Sequence, residues 1–125
     1  MNETADDFVV LSGDDSLTLP IMSVGGRGVI SVVANVAPAA MAALTGAVLA
    51  GDWATARSVH LDLFDLCRAM FLDNNPIAVK TAAGLLGLCA DEVRLPLTPM
   101  GEANRAKLEG ALRSCPYTRD VAAAA

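Results

Sequence analysis

Two runs of strand-forming residues, Phe8-Val9-Val10-Leu11 and Val29-Ile30-Ser31-Val32-Val33, most constrain what this chain can fold into. Neither run alternates polar with apolar side chains, so each reads as a strand covered on both faces, as in parallel sheets. Ser12-Gly13-Asp14-Asp15 stops the first run. Ser16 to Val24 can then form a short helix, with Pro20 allowing only about one turn before it. Gly25-Gly26 offer the positive-φ positions of a helix exit. Strand, helix and strand make a βαβ unit with parallel strands and a right-handed crossover.

After Asn35 the pattern turns helical. Pro38 suits a first turn, and Ala39 to Ala50 follows as an alanine-rich helix ending at Gly51. Asp52 is an N-cap for a helix from Trp53 to Phe71, whose Trp53, Ala56, Val59, His60, Leu63, Leu66, Cys67 and Met70 recur at 3/4 spacing. Asn75 before Pro76 predicts a cap and first-turn proline for a helix from Pro76 to Leu86, closed by Gly87. Leu95-Pro96-Leu97-Thr98-Pro99 reads as extended, because each proline restricts itself and its predecessor. Glu102 to Arg113 is a last amphipathic helix, and residues 115–125, with alanine-rich Val121 to Ala125, read as a flexible tail.

Two strands cannot bury themselves: the pair leaves two unpaired edges, and four later helices cover only part of it. The sequence therefore reads as the end of a larger α/β fold. A (β/α)8 barrel has about 250 residues, so roughly half would be absent. Composition points the same way, since a chain of 125 residues with 54% hydrophobic and 18% charged side chains is unusually apolar. Its mean hydropathy is +0.46.

That apolarity does not read as a membrane span, which needs about 20 consecutive apolar residues. Val29 to Leu49 is interrupted by Asn35 and Pro38. The acidic start Asn2-Glu3-Thr4-Ala5-Asp6-Asp7 is unlike a secretory signal. Glu3-Thr4-Ala5 lead into the first strand without a domain boundary, so the expectation is a truncation within a helix-to-strand connection. A net charge of −5 without a basic run argues against nucleic acid or anionic membrane as partners. Cys67, Cys89 and Cys115 are odd in number and widely spaced, which fits neither a disulfide framework nor a zinc site. They read as mostly buried, reduced thiols in a cytoplasmic protein.

The sharpest local feature is Gly13-Asp14-Asp15, just after a buried strand, where parallel α/β folds build their sites. Glycine there lets a substrate approach the backbone, and the aspartates could bind an amine or hydroxyl. Equally, Asp14 or Asp15 could cap the helix that follows, and the two roles are compatible. Lys80 is the residue type that forms Schiff bases, but it lies a turn into a helix and reads as a solvated lysine. His60 stands mid-helix without a second ligand, and Trp53 reads as core. No metal cluster, phosphate loop or complete catalytic set is present, and neither a metal nor a cofactor is expected.

The run from Asp7 to Asp15, and then Gly25-Gly26-Arg27-Gly28-Val29-Ile30-Ser31-Val32-Val33-Ala34-Asn35-Val36, resembles the last two barrel strands of the dihydrodipicolinate synthase family. Asn75-Pro76-Ile77-Ala78-Val79-Lys80 and Arg94-Leu95-Pro96-Leu97-Thr98-Pro99 resemble that family's C-terminal helical segment, in the same order and at similar spacings. The resemblance covers about residues 6 to 114. It implies that residues 1–36 are the last two βα units of a (β/α)8 barrel, and that 37–114 are the final barrel helix and helical segment.

The resemblance also implies a class I pyruvate lyase, in which a lysine forms a Schiff base with pyruvate and the enamine adds to L-aspartate semialdehyde in lysine biosynthesis via diaminopimelate. That lysine, the proton relay, the carboxylate-binding arginine and the feedback site would all lie upstream of this chain. Carried over residue by residue, Gly13 matches the glycine of the turn near substrate. Ile30 matches the residue whose backbone carbonyl faces pyruvate, and Asp14 and Asp15 match the turn's acidic pair. Lys80 matches a structural helix position, so no catalytic residue carries over. The expectation is an inactive piece of the synthase that associates with itself or with a missing N-terminal half. An interaction module docking onto another half-barrel, a piece of a related aldolase such as N-acetylneuraminate lyase, and a stand-alone helical binding domain are the competing readings.

Overall fold

A computed structural model of the chain describes residue 5 and residues 7–118. Among these, two short parallel strands precede a set of α-helices. β1 (Leu11–Ser12) and β2 (Gly28–Val29) flank α1 (Thr18–Ser23), and α2 (Pro38–Leu49), α3 (Trp53–Ala69), α4 (Ile77–Leu85) and α5 (Glu102–Ser114) follow. Leu11 pairs with Gly28 and Ser12 with Val29, in parallel.

Both strands are shorter than the apolar runs predict. The Arg27 amide donates to the Val10 carbonyl at 2.9 Å and the Ile30 amide to the Ser12 carbonyl at 2.8 Å, so the ladder barely outlasts the two pairs. At one end the Phe8 amide turns back to Ala5 at 2.9 Å. At the other, Val33 leaves the strand for a 3-10 turn, Val33–Asn35. Among the described residues the pair has no strand on either outer edge, and such a pair keeps only its central overlap.

The helices mostly begin and end where the pattern puts them. A 3-10 turn, Asp15–Leu17, leads into α1, which places Pro20 in the first helical turn where its missing amide costs nothing. Of the expected glycine exit, only Gly25 has positive φ, at 107°. Gly26 serves close approach instead: a Cβ there would lie 2.6 Å from Ile21 Cγ2 and 2.9 Å from the Ile21 carbonyl oxygen. Asp52 caps α3 as expected, accepting from the Thr55 amide at 3.0 Å and the Thr55 hydroxyl at 2.6 Å.

Other expectations are corrected. α4 starts at Ile77, with Pro76 outside it after a cis peptide bond. Leu95-Pro96, also cis, forms a turn closed by the Leu97 amide on the Arg94 carbonyl at 3.0 Å, not an extended segment. Trp53, at the free start of α3, is 48% exposed and not core. Cys115 and Thr118 are buried, and the Thr118 hydroxyl donates to the Leu112 carbonyl at 2.7 Å, so residues 115–118 pack and are not loose tail. Val121 to Ala125 lie outside the described residues.

The core is helical. Leu44 of α2, Leu63 and Leu66 of α3, Met70 and Leu108 and Leu112 of α5 are fully enclosed, joined by Val33 from the turn after β2. The strand side is bare by contrast: Phe8 is 62% exposed, Val9 58% and Ile30 71%. From Ser16 to Gly51 the only charged side chain is Arg27. α2 accordingly turns Ala42, Ala43, Gly46 and Leu49 outward with no charge among them. A helix that is apolar all round belongs inside a larger body. No described helix is long and apolar enough to cross a membrane.

Candidate functional site

The two turns that leave β1 and β2 lie side by side because the strands are parallel neighbours, and Asp15 ties one to the other. Ser12, fully buried, starts the first turn: its hydroxyl donates to the Asp14 carbonyl at 2.6 Å and accepts from the Asp14 amide at 3.2 Å. Asp14 then caps the 3-10 turn that leads into α1, its Oδ1 accepting from the Ser16 amide at 2.7 Å and the Ser16 hydroxyl at 2.6 Å. Asp15 is buried and points across to the second turn. Its Oδ2 accepts from the Val32 amide at 3.0 Å and the Val33 amide at 3.1 Å, and its Oδ1 accepts from the Ser31 hydroxyl. The same Ser31 hydroxyl accepts from the Ala34 amide at 2.8 Å.

Three donors on one carboxylate offset the cost of burying it. Of the paired aspartates, Asp14 is therefore the cap and Asp15 a brace with both oxygens occupied internally. Ser12 and Ser31 were not singled out by sequence reasoning. Each follows strand-like residues at a turn, where serine satisfies backbone groups locally, which is the one signal that could have found them.

Gly13 and Ile30 stand on the solvent side of these turns. No atom lies within 4 Å of where a Gly13 Cβ would be, so nothing within the described chain requires glycine there. Ile30 immediately precedes the braced Ser31-Val32-Val33 segment, and its side chain is open. The structure thus brings Gly13, Asp14 and Ile30 to adjacent turns beyond the same strand ends.

The other reactive groups lie elsewhere. Both lysines, Lys80 and Lys107, are on helices, α4 and α5, and neither is on a strand. His60 packs edge-on to Phe64 with ring centres 5.9 Å apart, and burial lowers its pKa. Burial, with the nearby Asp15 and Asp14 charges, pushes the Cys67 thiol from 9.0 to about 12. Cys115 is likewise buried and Cys89 is exposed, in line with the expectation of mostly buried thiols. Among the described residues no group of three or more His, Cys, Asp or Glu side chains could hold a metal.

Adjacent βα turns at the C-terminal ends of parallel strands define an α/β protein of the kind that builds its site at that end. Residues 1–115 match the model of the dihydrodipicolinate synthetase family, and the chain belongs to that family. A 4-hydroxy-tetrahydrodipicolinate synthase of Thermomicrobium roseum is 60% identical over 118 residues, covering 94% of this chain and 39% of that protein. The crystal structure of dihydrodipicolinate synthase from Aquifex aeolicus superimposes with a TM-score of 0.89 at 47% identity, covering 94% of this chain and 40% of that one. A chloride-inhibited synthase from Acinetobacter baumannii complexed with pyruvate superimposes with a TM-score of 0.83 at 37% identity, covering 88% and 38%. The chain thus spans about two fifths of the length of the relatives it matches.

Proposed function

We propose that this chain forms the closing part of a (β/α)8 barrel of the Schiff-base pyruvate-lyase type, and that it supplies the floor of the pyruvate site without the lysine that reacts. The parent reaction is the condensation of pyruvate with L-aspartate semialdehyde in lysine biosynthesis via diaminopimelate. The observation that carries this reading is the pair of braced turns after two parallel strands, within a stretch that superimposes on synthases including one complexed with pyruvate. Residues 1–36 would be the last two βα units of the barrel. The Ile30 carbonyl and the Gly13 backbone would face pyruvate, Asp14 would border the second substrate, and Asp15 would hold the Ile30 turn in place.

Chemically, the floor positions and does not transfer protons. A backbone carbonyl accepts a hydrogen bond from a protonated group on the ligand, and a glycine without a Cβ leaves the space a carboxylate needs. The nucleophile would come from the rest of the barrel, docked against the open edges of β1 and β2 and the charge-free side of α2. The alternative of an N-acetylneuraminate lyase piece has less support, since the similar relatives named above are synthases.

The test uses pyruvate and borohydride with mass detection. The chain alone is expected to gain no pyruvyl adduct. Mixed with the remaining N-terminal portion of the T. roseum synthase, it is expected to restore an adduct on that portion and turnover of aspartate semialdehyde. A near-stoichiometric adduct on this chain alone would overturn the proposal, as would a well-folded mixture that neither associates nor turns over.

A further inference from the structure

Beside the second turn, an open groove of about 450 Å³ runs between the segment after β2 and the start of α4. Val32, Pro76, Val79 and Ala83 give it an apolar wall. Its polar groups are unbalanced: Lys80, Asn35, Asn75, Ser31 and Cys89 line it, and no carboxylate does. Lys80 has no Asp or Glu partner among the described residues, where the ion pairs are those of Arg105 with Asp91 and Glu109 and of Arg113 with Glu109. Asn35 uses one amide hydrogen on the Val32 carbonyl at 2.9 Å, which leaves the second for a ligand. Ser31 is committed to Asp15 and Ala34. The groove therefore offers an ammonium and carboxamide donors above an apolar wall, with no built-in anion.

We propose that this groove binds a small carboxylate with a short apolar body, its carboxylate on Lys80 and the carboxamides of Asn75 and Asn35, its carbons on Val32, Pro76 and Val79. An ammonium and amide donors together recognise a carboxylate, and the apolar wall excludes fully hydrated inorganic anions from close contact. The site stands independently of the pyruvate proposal, because every group in it belongs to this chain.

Cys89 lines the groove and is exposed, while Cys67 and Cys115 are buried, so Cys89 is a built-in reporter. The full chain is titrated with butyrate, or with butyramide at matched ionic strength, and the rate of Cys89 alkylation by iodoacetamide is followed by peptide mass. Butyrate is expected to slow alkylation several-fold with millimolar saturation, and butyramide to leave it unchanged. Lys80→Met should abolish the protection and Lys80→Arg should keep it, with circular dichroism confirming that both fold. No saturable slowing by butyrate, equal slowing by butyramide, or full protection in a folded Lys80→Met variant would each overturn the proposal. The butyrate and butyramide comparison needs no variant, and its failure would leave the borohydride result untouched.

Discussion

The amide of Val33 donates to the carboxylate of Asp15 at 3.1 Å, and both residues are buried, so one side chain from the first turn fixes the backbone of the second. That brace carries the first prediction. Asp15→Asn places an amide against three donors and is expected to cost about 2–4 kcal/mol of stability. Asp14→Asn keeps an acceptor at the cap and should cost under about 0.5 kcal/mol. Urea unfolding of the two variants checks the ordering; a cost for Asp14→Asn as large as that for Asp15→Asn would show that the brace is not special.

Glycines give a second, opposed pair. Gly26→Ala must push Ile21 aside and is expected to destabilise by about 1–3 kcal/mol. Gly46, within α2 with nothing near its Cβ position, should tolerate alanine and gain about 0.5–1 kcal/mol. Thermal melting of both variants reads the sign directly.

The thiols predict an alkaline limit. Cys67 has its folded pKa raised above the ordinary value, chiefly by burial, so the folded state favours the neutral thiol. Its contribution to stability is complete below about pH 9 and is lost as the pH rises towards about 12, because the unfolded chain ionises first. Stability should fall across that window in the parent and less so in Cys67→Ala measured against its own neutral-pH value. Near pH 8, Cys89 should be alkylated long before Cys67.

At the acid end the sign reverses. Hydrogen bonds from Thr55 hold the Asp52 carboxyl below its usual 3.8, so the cap's contribution is present above that value and fades as the pH falls through the lowered one. Asp52→Ala should lower the melting temperature at neutral pH and make the acid side of the stability profile flatter. An unchanged midpoint at pH 7 would argue that α3 is held by packing alone.

Much of the fold was legible because its signals are local. Asp52 announces α3 by side-chain chemistry that needs nothing distant, and the buried stripe from Ala56 to Met70 follows helical spacing. What failed depended on neighbours. Strand length was overestimated because apolar runs report burial in a complete sheet, and Phe8 and Ile30 here have no sheet beyond them. Trp53 shared the spacing of the core stripe but sits beyond its end. In the site, the sequence left Asp14 and Asp15 interchangeable between capping and binding. Only the crossing of Asp15 to Val32 and Val33, across 17 and 18 residues, separates their roles, and no local pattern encodes that span.

The near absence of charge between Ser16 and Gly51 has a consequence for behaviour in solution. None of the negative charges that keep copies apart falls in that stretch, so two molecules meeting along it feel little repulsion. Added salt would screen the repulsion from the rest of the chain and strengthen apolar contact at once, so this chain should become stickier with rising ionic strength, in the manner of a surfactant head losing its charge.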